Sequence, residues 1–182
     1  MKILLHCCCG PCVIYPLVQL RAGGHEVHGC FSNHIHPYTE WQQRLQTLQT
    51  YATEVDLPLI VDDRYRLPYF LRNTVYRETQ RCTFCYHDRL EVSAKIAKRG
   101  KFDAFTSTLL YSKFQQHELI REMGEAAGKA AGMAFYYEDF RAGWKAGIEE
   151  SKERQMYRQQ YCGCIYSEGE RYLGRKWLTE NA

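Results

Sequence analysis

Ile3, Leu4 and Leu5 form a short apolar run ending at His6, the pattern of a strand buried on both faces. The run leads straight into Cys7-Cys8-Cys9-Gly10-Pro11-Cys12, and residues 13–21 then carry helical spacing up to a Gly23-Gly24 stop. The alternation continues. Residues 25–31 read as a second strand, 32–38 as a turn containing Pro37, 39–54 as a helix capped by Thr39, and 57–61 as a third strand. Residues 65–77 suggest a further helix, and Cys82 and Cys85 fall just before or within the first turn of a helix that runs to Arg99. A fourth strand over 102–110, a helix over 115–132 and a fifth strand over 133–140 complete the pattern.

Strands that alternate with helices imply a parallel sheet covered on both faces. The expected fold is α/β, a three-layer, Rossmann-like open parallel sheet with a C-terminal helical and loop tail. No repeat or low-complexity linker divides the chain, so one domain is expected over 1–182, its tail from about Arg141 folded back onto it. Ligands of such sheets gather beyond the C-terminal strand ends, where the first cysteine group lies.

Composition narrows the class. A 182-residue chain that is 45% hydrophobic has enough apolar bulk for a full core. The N-terminus turns polar at His6, short of the apolar region of a secretion signal, and no stretch approaches the length of a membrane span. A cytoplasmic protein without a membrane partner is expected. In that reducing setting nine cysteines, eight of them grouped, favour metal binding or redox chemistry over a disulfide framework. The ninth, Cys30, sits in an apolar stretch and reads as a core residue.

Net charge is only +3, but its distribution is uneven. Between Arg64 and Lys101, ten Lys or Arg face only Glu78, Asp88 and Glu91, interleaved with Tyr65, Tyr69, Phe70, Tyr76, Phe84 and Tyr86. That mix suits phosphates and unpaired bases; the alternative is a solvated helix face over an aromatic core.

Four thiolates close either an iron–sulfur cluster or a structural zinc site, and Cys82-x-x-Cys85 has the chelating spacing of both. Adjacent Cys8 and Cys9 are unusual in zinc ribbons and favour the cluster. A turn at Gly10 and Pro11 can aim both thiols at one point, leaving Cys7 as a buried neighbour or a substitute ligand. Cys12 is open among a core residue, a ligand to a second metal and a catalytic thiol. Cys162-Gly163-Cys164 can close only a small, strained disulfide ring, which suits a two-electron relay; two buried thiols or a metal pair is the alternative.

Several ordered stretches stand out together: Cys8-Cys9-Gly10-Pro11-Cys12, Arg81-Cys82-Thr83-Phe84-Cys85-Tyr86, Phe105-Thr106-Ser107-Thr108-Leu109-Leu110 with Gln116-His117-Glu118, and Asp139-Phe140-Arg141 through Tyr161-Cys162-Gly163-Cys164. They resemble the QueH family of cobalamin-independent epoxyqueuosine reductases. The turn Ser32-Asn33-His34-Ile35-His36-Pro37 departs from the family's Asn-Pro-Asn-Ile pattern, and Cys7 lies outside it.

The resemblance implies a HUP/PP-loop-like fold and reduction of the epoxide of epoxyqueuosine at the tRNA wobble position. It implies a [4Fe-4S] cluster on Cys8, Cys9, Cys82 and Cys85, a redox-active pair at Cys162 and Cys164, and an additional mononuclear iron. Cys12 and Asp88 are candidate ligands for that iron. Candidate proton donors are His6, His36, His117, Glu118 and Tyr161, and the electron donor is unidentified. Arg77, Arg81, Arg89, Arg141, Lys152 and Arg158 are the candidate tRNA contacts. Two alternatives stand beside this reading: a cluster-containing tRNA sulfurtransferase of PP-loop type, and a zinc-bound RNA-binding module. The first needs a phosphate-cradling Gly-rich loop after strand one, where this chain has a single glycine. The second leaves the Cys162/Cys164 pair unexplained.

Overall fold

The computed structural model describes residues 1–174 and 176–180; residues 175, 181 and 182 of the expected 1–182 domain lie outside the described residues. Five strands form one sheet in the order β3-β2-β1-β4-β5, every pair parallel. The strands are β1 (Lys2–His6), β2 (Glu26–Phe31), β3 (Leu59–Val61), β4 (Ala104–Ser107) and β5 (Ala134–Phe135). Helices α1 (Gly10–Ala22) and α2 (Tyr38–Glu54) pack together, and α4 (Arg81–Arg99) packs against α5 (His117–Ala131). Right-handed crossovers put the first pair on one face and the second on the other. This is the expected three-layer α/β fold.

Its core explains why β1 reads as unbroken apolar sequence. Ile3, Leu4 and Leu5 are fully buried, as are Leu90 and Ala94 of α4 and Leu17 and Leu20 of α1. Each fully buried aliphatic side chain contributes about 1.5–3 kcal/mol relative to exposure.

Element ends differ from the pattern-based reading, each for a local reason. The α2 helix begins at Tyr38, not on a Thr39 cap, because the Pro37 carbonyl accepts the amides of Glu40 and Trp41. Short α3 (Leu67–Thr74) gives way to a 3-10 turn, Glu78–Gln80, that feeds directly into α4. In the expected fourth strand, the Phe102 amide closes the end of α4 on the Ala97 carbonyl. Past Ser107 the chain winds into a 3-10 turn, Thr108–Tyr111, capped by the Ser107 hydroxyl accepting the Leu109 amide. Strand β5 is two residues long, pairing only with Ala104 and Phe105 of β4, and Asp139 then caps another 3-10 turn, Phe140–Gly143.

The tail supplies α6 (Trp144–Glu153), α7 (Ile165–Leu173) and α8 (Trp177–Glu180). Among the described residues no helix is long and apolar enough to cross a membrane. The α6 helix lies on α1. At its N-terminus Gly143 touches the Tyr15 ring so closely that an added Cβ would sit 2.0 Å from it. Gly143→Ala is therefore expected to cost about 1–3 kcal/mol through overpacking. Thermal unfolding should show a midpoint lower by roughly 2–4 °C for each kcal/mol lost; an unchanged midpoint would mean that α6 shifts freely on α1.

Candidate functional site

The chain leaves β1 outward through β2 and β3, then returns to β4 on the other side of β1, so β1 and β4 flank the switch point of the sheet. His6 and Ser107 end these two strands and face each other in register. His6 Nε2 donates to the Ser32 carbonyl at 3.2 Å, which leaves Nδ1 to accept the Ser107 hydroxyl at 2.8 Å. Burial and the nearby Arg89 charge hold the His6 pKa down at about 4, so the ring is neutral.

Beyond these strand ends the first cysteine group converges. Cys8 is fixed by its amide donating to Thr108 Oγ1 at 3.0 Å, and the Thr108 hydroxyl donates back to Cys8 Sγ at 3.3 Å. Cys9 is the extended N-cap of α1, and Cys12 stands three residues on, in its first turn. Those two positions lie side by side in any helix start, the geometry behind the capping box. Their sulfurs are 2.9 Å apart, and Cys8 Sγ is 3.8 Å from Cys9 Sγ. All three sulfurs lie within 4.8 Å of one another and are buried, a group able to hold a thiophilic metal. Sulfur contacts from Cys12 and Cys9 hold Cys8 well below the ordinary thiol pKa, while burial raises Cys9. Cys7 turns away, donating to the Leu5 carbonyl at 3.1 Å, and Cys30 is a core residue.

Cys82 and Cys85 lie in the first turns of α4, across the crevice. Among the described residues they do not join the set of sulfurs that all lie within 4.8 Å of one another; their thiol neighbours are Cys162 and Cys164. Burial pushes Cys82 up to about 11 and Cys85 up to about 12, which favours their thiols over thiolates.

Cys162 and Cys164 are free thiols, the first exposed and the second packed with Phe70 and Cys85. Gly163 between them has φ +150°, a conformation L side chains rarely adopt. The backbone of this segment is gripped from α2 and the preceding turn. Arg44 donates to the Cys162 carbonyl at 2.8 Å and the Tyr161 carbonyl at 3.0 Å, while its Nε binds Glu40 at 2.7 Å. The His36 amide donates to the Gly163 carbonyl at 2.7 Å, and Tyr161 donates to the His36 carbonyl at 2.8 Å. Glu40 also accepts the Tyr157 hydroxyl. Gln159 reaches over to donate to Cys9 Sγ at 3.3 Å, and Gln115 donates to Cys162 Sγ at 3.2 Å. The tail thus roofs the first cysteine group and carries the third beside it.

The space enclosed is a cavity of about 490 Å³ lined by Cys8, Cys12, Arg89, Tyr111, Trp144 and Cys162 among others. Phe114, 85% exposed, stands at its rim edge-on to Trp144. Arg158 also lines it.

Other candidates fall elsewhere. Asp88 is buried and already bound to His34 at 2.8 Å and to Arg66 at 3.0 and 3.2 Å. His36 is buried against Phe70 and Tyr65, with desolvation holding its pKa down at about 3. His117 bonds Tyr137 at the start of α5, and Glu118 beside it is exposed. Arg81 and Arg89, expected on a phosphate-binding surface, are buried instead: Arg81 pairs with Glu170 at 2.6 Å, and Arg89 faces the cavity. Arg77 and Lys152 are exposed, and Arg141 is held by Asp139. Arg44 and Gln159 carry no motif of their own. The one signal for Arg44 was its position four residues after Glu40 on an otherwise polar helix stretch.

Comparison with known proteins gives this arrangement a family. A solved structure described as a predicted subunit of tRNA methyltransferase from Methanocaldococcus jannaschii superposes with a TM-score of 0.58 over 84% of this chain and 75% of that one. At 11% identity it shows the fold alone. The epoxyqueuosine reductase QueH of Dehalococcoides mccartyi is 34% identical over 172 residues, 94% of each chain, and that of Haemophilus influenzae is 33% identical over 98% of this chain and 75% of its own. The family model described as "Epoxyqueuosine reductase QueH" matches residues 3–170, from the first strand through all three cysteine groups. The chain therefore belongs to the QueH family of epoxyqueuosine reductases.

Proposed function

We propose that this protein reduces the epoxide of epoxyqueuosine in tRNA to the alkene of queuosine. The observation that carries the reading is the cavity whose wall sets the exposed thiol of Cys162 alongside the buried group of Cys8, Cys9 and Cys12. Free thiols throughout the chain agree with a reducing cytoplasm.

The donor set fits an iron–sulfur group: soft, buried sulfurs converge, and an unpaired cation, Arg89, faces them. Cys8 and Cys9, with Cys82 and Cys85 from across the crevice, would hold a [4Fe-4S] cluster, and Cys12 is the free donor for a further iron. Asp88 is less suited to that iron, being committed to His34 and Arg66. When bound, the cluster supplies one-electron chemistry and a Lewis-acid iron beside the cavity.

The reaction breaks both C–O bonds of the epoxide, forms a C=C bond and releases water, consuming two electrons and two protons. Oxidation of the Cys162 and Cys164 thiols to a disulfide yields two electrons and two protons, which balances it. An external reductant, whose identity is open, then restores the dithiol. The pair is the better proton source because His6 and His36 are neutral near pH 7 and hold no spare proton to give as imidazolium. For binding, an extruded base can stack at the Phe114–Trp144 rim, with Arg158 and exposed Arg77 and Lys152 on phosphates.

Anaerobic purification with iron and sulfide analysis tests the reading. About four irons and four sulfides per [4Fe-4S] cluster are expected, with any further iron in excess of sulfide, and Cys8→Ala should lose them; zinc without sulfide would replace the reductase with a zinc-bound RNA-binding module. The double variant Cys162→Ser, Cys164→Ser should keep the cluster absorbance yet fail to turn over, and sustained turnover would remove the pair from the mechanism. Arg44→Met should unfix the 161–164 backbone and strand the buried Glu40 carboxylate. The expected cost is about 3–5 kcal/mol of stability, read by chemical denaturation, with faster alkylation of Cys164; an alkylation rate equal to wild type would show that Arg44 does not anchor the segment.

A further inference from the structure

Among the described residues three arginines are buried, and two have conventional partners. Arg44 pairs with Glu40 and two carbonyls, and Arg81 pairs with Glu170 and the Glu78 carbonyl. Arg89 does not. It is 3% exposed, its Nε has no hydrogen-bond partner, and its recorded bond is a long one, 3.4 Å from Nη2 to the His34 carbonyl. Among the described residues no carboxylate pairs with it; the neighbouring acid on α4, Asp88, is taken by His34 and Arg66.

A guanidinium buried without a counter-ion is among the costliest arrangements in a protein, and it cannot escape by losing its proton. The position has to be offset by negative charge that the chain itself does not supply as a carboxylate. The thiols of Cys85, Cys162 and Cys8 and the Tyr86 phenol act on Arg89 electrostatically, as it does on the rings of His6, His34 and His36, and it opens onto the cavity beside Cys8 and Cys162. One member of each of the three cysteine groups thus lies within the field of one cation. Phosphate contact from outside is poorly served, because the side chain is enclosed rather than presented.

We infer that Arg89 is the built-in counter-charge of an anionic metal–thiolate group, stabilising its more negative, reduced state and so setting the potential at which electrons enter it. The inference rests on the cluster reading above. The charge favours each added electron, so removing it makes reduction harder. Arg89 acts here through the cluster as an electrostatic positioning residue.

The test uses Arg89→Met, which keeps most of the stem volume, and Arg89→Lys, which keeps the charge. Both are purified anaerobically as full chains, with iron and sulfide content, EPR-monitored redox titration, tRNA affinity, and thermal unfolding of the cluster-free protein. In Arg89→Met the one-electron midpoint should fall by about 59 mV or more, a tenfold or greater change in the reduction equilibrium, and Arg89→Lys should recover most of it. The cluster-free Arg89→Met protein should unfold no earlier than cluster-free wild type, because an unpaired buried charge has been removed. A side chain needed only for packing would give the reverse: earlier unfolding with the midpoint unmoved. If Arg89→Met folds but takes up no iron, the counter-charge role is supported and Arg89→Lys supplies the midpoint. An unmoved midpoint with weakened tRNA binding would assign the cation to a substrate phosphate and overturn the inference. Wild type without iron and sulfide would instead remove the cluster reading, and this inference with it.

Discussion

The parallel pairing of β1 with β4 is the constraint on which the site depends. It sets His6 opposite Ser107, and just beyond the two strand ends Cys8 and Thr108 are then close enough for one hydroxyl to accept the Cys8 amide and donate to its sulfur. Because β1 and β4 are neighbours in space but a hundred residues apart in sequence, the bonds that fix Cys8 beside the locally paired Cys9 and Cys12 depend on those two strands having met. The neutral His6 ring completes the link by tying both strand ends to the loop after β2.

A second layer of control comes from α2 and the tail. Glu40 and Arg44 sit one turn apart, mutually neutralised and buried, and together they address Tyr157, Tyr161 and Cys162. The cost of burying two charges is offset by their pairing and by the carbonyl and hydroxyl partners that occupy their remaining bonding capacity. Two elements far apart in sequence, the turn at His36 and the segment around Gly163, are thereby held as one surface.

Much of this was legible in the sequence. The strand-loop-helix opening follows from Ile3, Leu4 and Leu5 running into a Gly-Pro turn, and the order of strands and helices follows from their periodicity. The ends of β4 and β5 were not legible, since a buried apolar run has the same pattern whether extended or wound into a 3-10 turn, as Thr108 to Tyr111 is. The burial of Arg81 and Arg89 is not encoded in the basic stretch, which gives no sign of which members turn inward. The closeness of Cys9 and Cys12 is present in their spacing as N-cap and first-turn residues once the helix start is fixed at Gly10. The meeting of Cys82 and Cys85 with Cys162 and Cys164 depends on the path of the tail, which no local pattern encodes.

The grip on the Cys162 segment is made on the carbonyls of Tyr161, Cys162 and Gly163 and on the Tyr161 hydroxyl, with one side-chain contact, from Gln115, on the Cys162 sulfur. A main-chain scaffold of this kind separates placement from reactivity: with both thiols free, an exposed sulfur and a buried one are set in position by backbone bonds in which neither takes part.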